Sequence, residues 1–149
     1  MVRRTPEQQY QELVKRSNIP KDEVLTLFDQ LKPAKLEQFI GPWKAASVST
    51  GHPIEQMLND MRWAGKNFRS IEDVDPVVIY KDDGSRRWNE DYGHARLRQV
   101  EFRGVVSTAM VYDDFPIIDY FRYVNDDLLA GAMDSKIHQG GTYYFYIYR

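Results

Sequence analysis

The turns in the second half of the chain constrain the fold most. From residue 63 onward, short apolar segments are separated by turn sequences at residues 81–85, 113–114, 125–127 and 140–141. These separators are too short for a crossover helix, and parallel neighbours need such a crossover. Neighbouring strands are therefore predicted to run antiparallel.

The apolar segments define about eight strands. They are predicted at residues 43–49, 63–69, 74–80, 95–103, 105–112, 117–124, 128–133 and 142–149. Antiparallel strands in this number close into a barrel or stack as a sandwich, because closure removes exposed strand edges. The sequence thus predicts a mainly β fold.

Helical periodicity is confined to the first third of the chain and one later segment. The apolar spacing and the capping residues predict a helix near residues 6–16, a second that begins at Pro20, and a brief helical stretch at residues 54–61. No linker or repeat marks a second domain. We expect a single domain, with a helical segment over residues 1–40 and the sheet over residues 41–149.

Composition excludes several classes of protein. At 149 residues, with 42% hydrophobic residues and no cysteine, the chain can form one folded domain without disulfides or thiolate zinc ligands. The N-terminal residues contain no apolar signal segment, and no apolar run approaches the ~20 residues needed to cross a bilayer. We expect a cytoplasmic protein without a transmembrane segment.

Cations and aromatic rings alternate over residues 86–103, a mixture that proteins use to bind single-stranded nucleic acid. The residues are Arg86, Arg87, Trp88, Tyr92, Arg96, Arg98 and Arg103. The net charge of −2 and the interspersed acidic side chains favour a solvated hairpin face instead. We expect no nucleic-acid partner.

The last predicted strand is apolar on both faces. Tyr143, Phe145 and Ile147 alternate with tyrosines at 144, 146 and 148, so neither face suits plain solvent. One face is expected to contact the helices, a protein partner or a second copy of the chain. The other is expected to contact a core or a cavity.

Several short motifs carry a family resemblance. They are Gly41-Pro42-Trp43, Gly51-His52-Pro53, residues 63–68 and residues 112–122. Together they resemble the GXWXG family joined to its companion C-terminal domain of unknown function, over roughly residues 22–149. Ala45 stands where the family pattern has its second glycine. The family name describes a pattern and assigns no reaction.

The Gly-x-Trp motif is also similar to the first-strand signature of lipocalins and other calycins. In those proteins the tryptophan closes one end of the barrel, usually beneath an arginine. The resemblance implies a calycin-like antiparallel barrel in which Gly41 and Trp43 are structural. It further implies that Arg122 or Arg149 covers the Trp43 ring.

Few residues suggest catalysis. No two of the three histidines have the i, i+4 spacing of a metal site, and we expect neither a metal nor a cofactor. His52, held between Gly51 and Pro53, is a candidate acid or base, or else a turn residue bonded to the backbone. Asp119 lies within an apolar strand and must be paired if it is buried. These two residues are the candidate catalytic pair.

Asp119 and Arg122 are an odd number of residues apart, so a regular strand points them to opposite faces. We expect Lys66 and Asp119 to point inward and Arg122 to lie outside the barrel or at one end. The buried Lys66 and Asp119 would then need each other as partners. The residues expected to line a ligand cavity are Trp43, Trp63, Lys66, Phe68, Asp119 and Phe121. Within it, Lys66 is expected to meet an anionic head group.

The favoured function is a binding protein whose barrel, plugged by its helices, holds a small apolar or amphipathic ligand such as a lipid. An eight-stranded barrel is wide enough for one small ligand or for packed side chains. One alternative is an enzyme that uses the same cavity with His52 and Asp119. Another is a scaffold whose last strand meets a protein partner.

Overall fold

Ten strands form one antiparallel sheet in the structure, a computed structural model that describes residues 3–149. The strands are β1 (Lys32–Pro33), β2 (Gly41–Ser47), β3 (Trp63–Phe68), β4 (Val74–Tyr80), β5 (Arg86–Trp88), β6 (Ala95–Phe102), β7 (Val105–Tyr112), β8 (Ile117–Asn125), β9 (Leu128–Ser135) and β10 (Tyr143–Tyr148). Eight of them close into a ring in the order β2, β3, β4, β6, β7, β8, β9, β10. The predicted mainly β, antiparallel barrel is confirmed.

Two short strands lie beside the ring. The chain turns back after β4 to form β5, and β1 pairs with Arg122 and Tyr123 of β8. The ring is joined most weakly between β4 and β6, where Val74 and Ala95 form a single residue pair. The sequence did not predict β1 and β5, which span two and three residues and are too short for a periodicity to emerge.

Three α-helices accompany the sheet: α1 (Pro6–Leu13), α2 (Lys21–Gln30) and α3 (Ile54–Asp60). Helix α1 begins with a capping box between Thr5 and Gln8, as the sequence predicts. Two short 3₁₀ helices cover Leu36–Gln38 and Glu90–Tyr92. Within residues 3–149, no helix is both long and apolar enough to cross a bilayer.

Two apolar clusters flank the barrel wall. One fills the barrel interior, and the other lies between the outer face of the wall and helices α1 and α2. The last strand divides between them, since Phe145 points inward while Tyr144 packs beneath the helices. The prediction of two apolar faces on this strand is confirmed, and the helices cover its outer face.

The barrel ends are closed by other segments than expected. Helices α1 and α2 pack outside the barrel and do not plug it. Helix α3 connects β2 to β3 and closes the end where β2 finishes, with Ile54 and Leu58 buried. The segment before β2 closes the opposite end with Phe39. A helix predicted from periodicity alone carries no information about which part of a sheet it covers.

Candidate functional site

An ion pair crosses the barrel interior. Lys66 on β3 and Asp119 on β8 lie four strands apart around the ring, so they come from opposite walls. Their Nζ and Oδ2 atoms are 2.9 Å apart, and their side chains are only 3% and 2% exposed. The predicted inward orientation and pairing of these two residues is confirmed.

The Lys66 ammonium has further partners. It donates a hydrogen bond to the Pro76 carbonyl oxygen at 2.9 Å. It also lies 5.7 Å from the ring centroid of Trp63 and 5.3 Å from that of Phe145, distances at which a cation is attracted to an aromatic face. These contacts stabilise a charge that would otherwise be costly in an apolar interior.

A bulge in β3 brings Trp63 to the same site as Lys66. The two residues are an odd number of positions apart and would face opposite sides in a regular strand. The pairing of β3 with β4 shifts register between Trp63 and Gly65 and again between Gly65 and Asn67. Both Trp63 and Lys66 therefore border one cavity.

Two polar atoms at the site have no partner. Among the described side chains, buried nitrogen or oxygen atoms without a hydrogen bond are Gln38 Nε2, Trp63 Nε1 and Asp119 Oδ1. Trp63 and Asp119 both line the same cavity. Burial raises the pKa of Asp119 above its ordinary value, while the charge and hydrogen bond of Lys66 oppose that rise. Asp119 Oδ1 is thus a buried acceptor without a partner, and Trp63 Nε1 is a buried donor without one.

The cavity lies between the ion pair and helix α3. Its volume is about 30 Å³, enough for roughly two water molecules. Apart from the ion pair, its walls are mainly aromatic and aliphatic: Ile54, Met57, Leu58, Met61, Trp63, Val77, Tyr92, Tyr112, Ile117, Met133, His138, Tyr143 and Phe145. A small, mostly apolar space with a polar end is the arrangement found in sites for amphipathic molecules.

The cavity adjoins a groove on the protein surface. A surface groove of about 170 Å³ is lined by Pro53, Ile54, Met57, His138 and Gln139. Ile54, Met57 and His138 also line the cavity, so these three side chains lie between the two spaces. The edge of α3 and the loop after β9 thus lie where the cavity meets the groove.

Three predicted cavity residues lie elsewhere. Trp43, Phe68 and Phe121 are fully buried at the opposite end of the barrel, where the rings of Phe68 and Phe121 pack edge-on against Phe39. They do not border the cavity. Parity identifies a side chain that points inward but does not give its height along the barrel axis. These three side chains point into the other half of the interior, where aromatic rings pack against each other.

Trp43 has the structural role implied by the resemblance. Its indole nitrogen donates to the Phe39 carbonyl oxygen at 2.7 Å, and the guanidinium of Arg149 lies 4.1 Å from its ring centroid. Gly41 begins the same strand at a φ of +120°, a conformation that favours glycine. Of the two arginines considered, Arg149 covers the ring.

Arg122 instead holds helix α2 on the outside of the barrel. Only 1% of it is exposed, and it donates to the carbonyl oxygens of Phe28, Asp29, Leu31 and Phe102. The first three lie in the last turn of α2 and its C-cap, where carbonyl groups lack partners within the helix. Of the two predicted positions, outside the barrel or at one end, Arg122 takes the first, and its structural role is to hold α2 rather than to cover Trp43.

The structure does not bring His52 together with Asp119. The His52 Nδ1 accepts a hydrogen bond from the Ile54 amide, and Nε2 lies 3.0 Å from the Gly141 carbonyl oxygen. His52 does not border the cavity. These contacts favour the interpretation of His52 as a turn residue bonded to the backbone over its interpretation as the catalytic partner of Asp119. They fix the start of α3 to the loop after β9.

Sequence reasoning missed several cavity residues. Tyr112, Met133 and Tyr143 border the cavity from β7, β9 and β10. The alternation in β10 indicated that Tyr143 faces a core or cavity, and the helical stretch predicted at residues 54–61 contains Met57 and Met61. No signal in the sequence showed that these elements meet at the same end of the barrel.

The arginines of residues 86–103 are mostly neutralised. Arg96 pairs with Asp113 at 3.1 Å, Arg98 with Glu72 at 2.8 Å, and Arg103 with Asp29 at 3.0 Å. Arg86 donates to the Trp43 carbonyl oxygen. These pairings favour the solvated hairpin face over a phosphate-binding surface.

Comparisons with known proteins agree with the motifs. Residues 26–84 match the family described as GXWXG protein, and residues 93–149 match the domain of unknown function DUF4334. The chain is similar to a protein from Thermomonospora curvata of known crystal structure, with 39% identity, a TM-score of 0.90 and 97% of each chain covered. No curated protein sequence matches the chain.

Proposed function

We propose, for a chain that belongs to the GXWXG family and carries the DUF4334 domain in its C-terminal part, that the barrel binds a small apolar or amphipathic molecule. Neither family description names a reaction or a ligand. The proposal therefore comes from the site. Its support is the pair of unpartnered buried polar atoms, Asp119 Oδ1 and Trp63 Nε1, on two residues that line one mainly apolar cavity.

A purely structural role explains the ion pair poorly. Well-packed apolar residues often replace a buried ion pair at no cost in stability. Each buried polar atom left without a partner costs about 1–3 kcal/mol. A bound molecule that meets Asp119 Oδ1 and Trp63 Nε1 would recover that cost.

The cavity must enlarge to take such a molecule. Its walls include Met57, Met61 and Met133, whose unbranched side chains adapt readily to a new shape. Helix α3 has only seven residues, and Ile54 and Leu58 are its buried contacts. A small outward shift of α3 would join the cavity to the groove beside it. The ligand would then select the open form.

A lipid-like ligand and a cytoplasmic location are part of the same proposal. The mainly apolar walls support an aliphatic chain as the buried part of the ligand. The lack of cysteine supports a reducing compartment.

Native mass spectrometry of the gently purified protein tests the proposal. We expect a co-purified small molecule that leaves on denaturation. Met61→Trp should fill the cavity and abolish the extra mass, whereas Ile137→Trp, at a position 54% exposed, should retain it. A clean apo mass, together with no binding of added eight-carbon amphiphiles, would reject the proposed function.

A further inference from the structure

We infer that the cavity takes an uncharged head group that both donates and accepts a hydrogen bond, such as an alcohol or a carboxamide, in preference to a carboxylate or an ammonium. The inference rests on the proposed function and specifies its ligand class. It replaces the anionic head group expected from the presence of Lys66 alone.

The first argument against a charged head group is the charge balance of the site. The Lys66 ammonium is already paired with the Asp119 carboxylate at 2.9 Å, and both side chains are almost fully buried. A carboxylate ligand would place a second anion beside Asp119, and an ammonium ligand a second cation beside Lys66. Either charge would lose its hydration without gaining a partner of its own.

The second argument is the hydrogen-bonding capacity that the two unpartnered atoms require of a ligand. A carboxylate oxygen only accepts, so the unpartnered Asp119 Oδ1 requires a donor from the ligand. The Trp63 indole nitrogen only donates, so it requires an acceptor. Alcohols and carboxamides offer both capacities without a charge. A carboxylate offers no donor, and an ammonium offers no acceptor.

Water has the same two capacities and fits the cavity as it stands. An alcohol or amide head would take over the hydrogen bonds of such a water, while its chain would displace apolar surface from solvent. An ether would leave Asp119 Oδ1 without a donor. The comparison of an alcohol with its methyl ether therefore isolates the contribution of Asp119.

Calorimetric titration of the intact protein at pH 7 with 1-octanol, octyl methyl ether, octanoate and octylammonium tests the inference. We expect 1-octanol to bind tightest and the ether about tenfold more weakly, the size expected for one hydrogen bond to a charged acceptor. Octanoate and octylammonium should bind more weakly than the ether. Equal or tighter binding of either ion, or of the ether, would overturn the inference while the proposed function stands. Failure of all four to bind would reject both.

Two variants test the named atoms. Trp63→Phe removes the indole donor and should weaken the binding of 1-octanol several-fold. Trp88→Phe is the control, because the Trp88 indole donates to the Gly93 carbonyl oxygen outside the cavity, and it should leave binding unchanged.

The double variant Lys66→Met/Asp119→Leu removes both charges and leaves neither one unpaired. It should bind 1-octanol and its ether equally, and a retained tenfold preference would contradict the role of Asp119. Circular dichroism of each variant checks that it folds.

Discussion

Lys66 and Asp119 face each other across the barrel, with Nζ 2.9 Å from Oδ2, from strands that are four positions apart around the eight-stranded ring. The pair separates the two halves of the interior. On one side, the rings of Phe68 and Phe121 pack edge-on against Phe39, and on the other lies the cavity beneath α3.

This pairing predicts strongly non-additive effects on stability. Asp119→Leu alone should lower the free energy of unfolding by about 3–5 kcal/mol, because it leaves the Lys66 charge buried without its partner. The double variant Lys66→Met/Asp119→Leu should be close to the wild type. Urea unfolding of the wild type, the two single variants and the double variant completes the double-mutant cycle. Simple addition of the two single losses would contradict the pairing.

A pH dependence is expected from His138 at the cavity wall. Burial and the nearby His52 lower the pKa of His138 below its ordinary value of 6.5. Between the lowered pKa and 6.5 the folded protein binds fewer protons than the unfolded chain, so the free energy of unfolding falls as the pH decreases through this range.

His138→Asn removes this titration and serves as its control. As the pH drops from neutral to about 5, the free energy of unfolding of the wild type should fall relative to that of the variant. Urea unfolding at several pH values measures it, and NMR titration of the ring gives its pKa directly. A difference that stays constant, or a measured pKa above 6.5, would contradict the prediction.

Trp43→Ala should lower the free energy of unfolding by about 3–5 kcal/mol, the cost typical of a large aromatic truncation in a core. Trp43 is fully buried and lies under Arg149. Trp88→Ala, at a half-buried position, is the control and should cost much less. Chemical unfolding measures both variants. Equal losses in the free energy of unfolding would contradict a larger structural role for Trp43 than for Trp88.

Gly131→Ala should be destabilising by about 1–3 kcal/mol through overpacking. A Cβ atom at this position would lie only 2.5 Å from the ring of Phe145, which also lines the cavity. The double variant Gly131→Ala/Phe145→Leu removes the ring that is in the way. It should lose less stability than the two single changes added together, as measured by thermal unfolding. An additive loss would show that the clash is relieved elsewhere.

Much of the wall of the barrel was predictable. The predicted strand at residues 105–112 has the bounds of β7, Val105–Tyr112, and the one at residues 74–80 has those of β4, Val74–Tyr80. Short turns fixed the antiparallel pairing because they leave no room for a crossover. Parity also placed Asp119 and Arg122 on opposite faces, and β8 pairs without interruption where they lie.

The composition of the cavity was less predictable. Trp63 joins Lys66 only because β3 contains a bulge, and a bulge changes parity without a clear signal in the sequence. Trp43, Phe68 and Phe121 point inward as expected, yet they fill the opposite half of the barrel. Parity describes which side of a strand a residue occupies and nothing about the residues opposite it.

The amino-acid sequence by itself determined the eight strands of the ring, the direction of their pairing and the need of Asp119 for a partner. These properties depend on local periodicity, on turn length and on the cost of burying a charge. Only the tertiary structure decided that β3 faces β8, that α3 closes the open half and that Arg149 covers Trp43. Those contacts join residues far apart in the chain, and they arise from the closure of the ring as a whole.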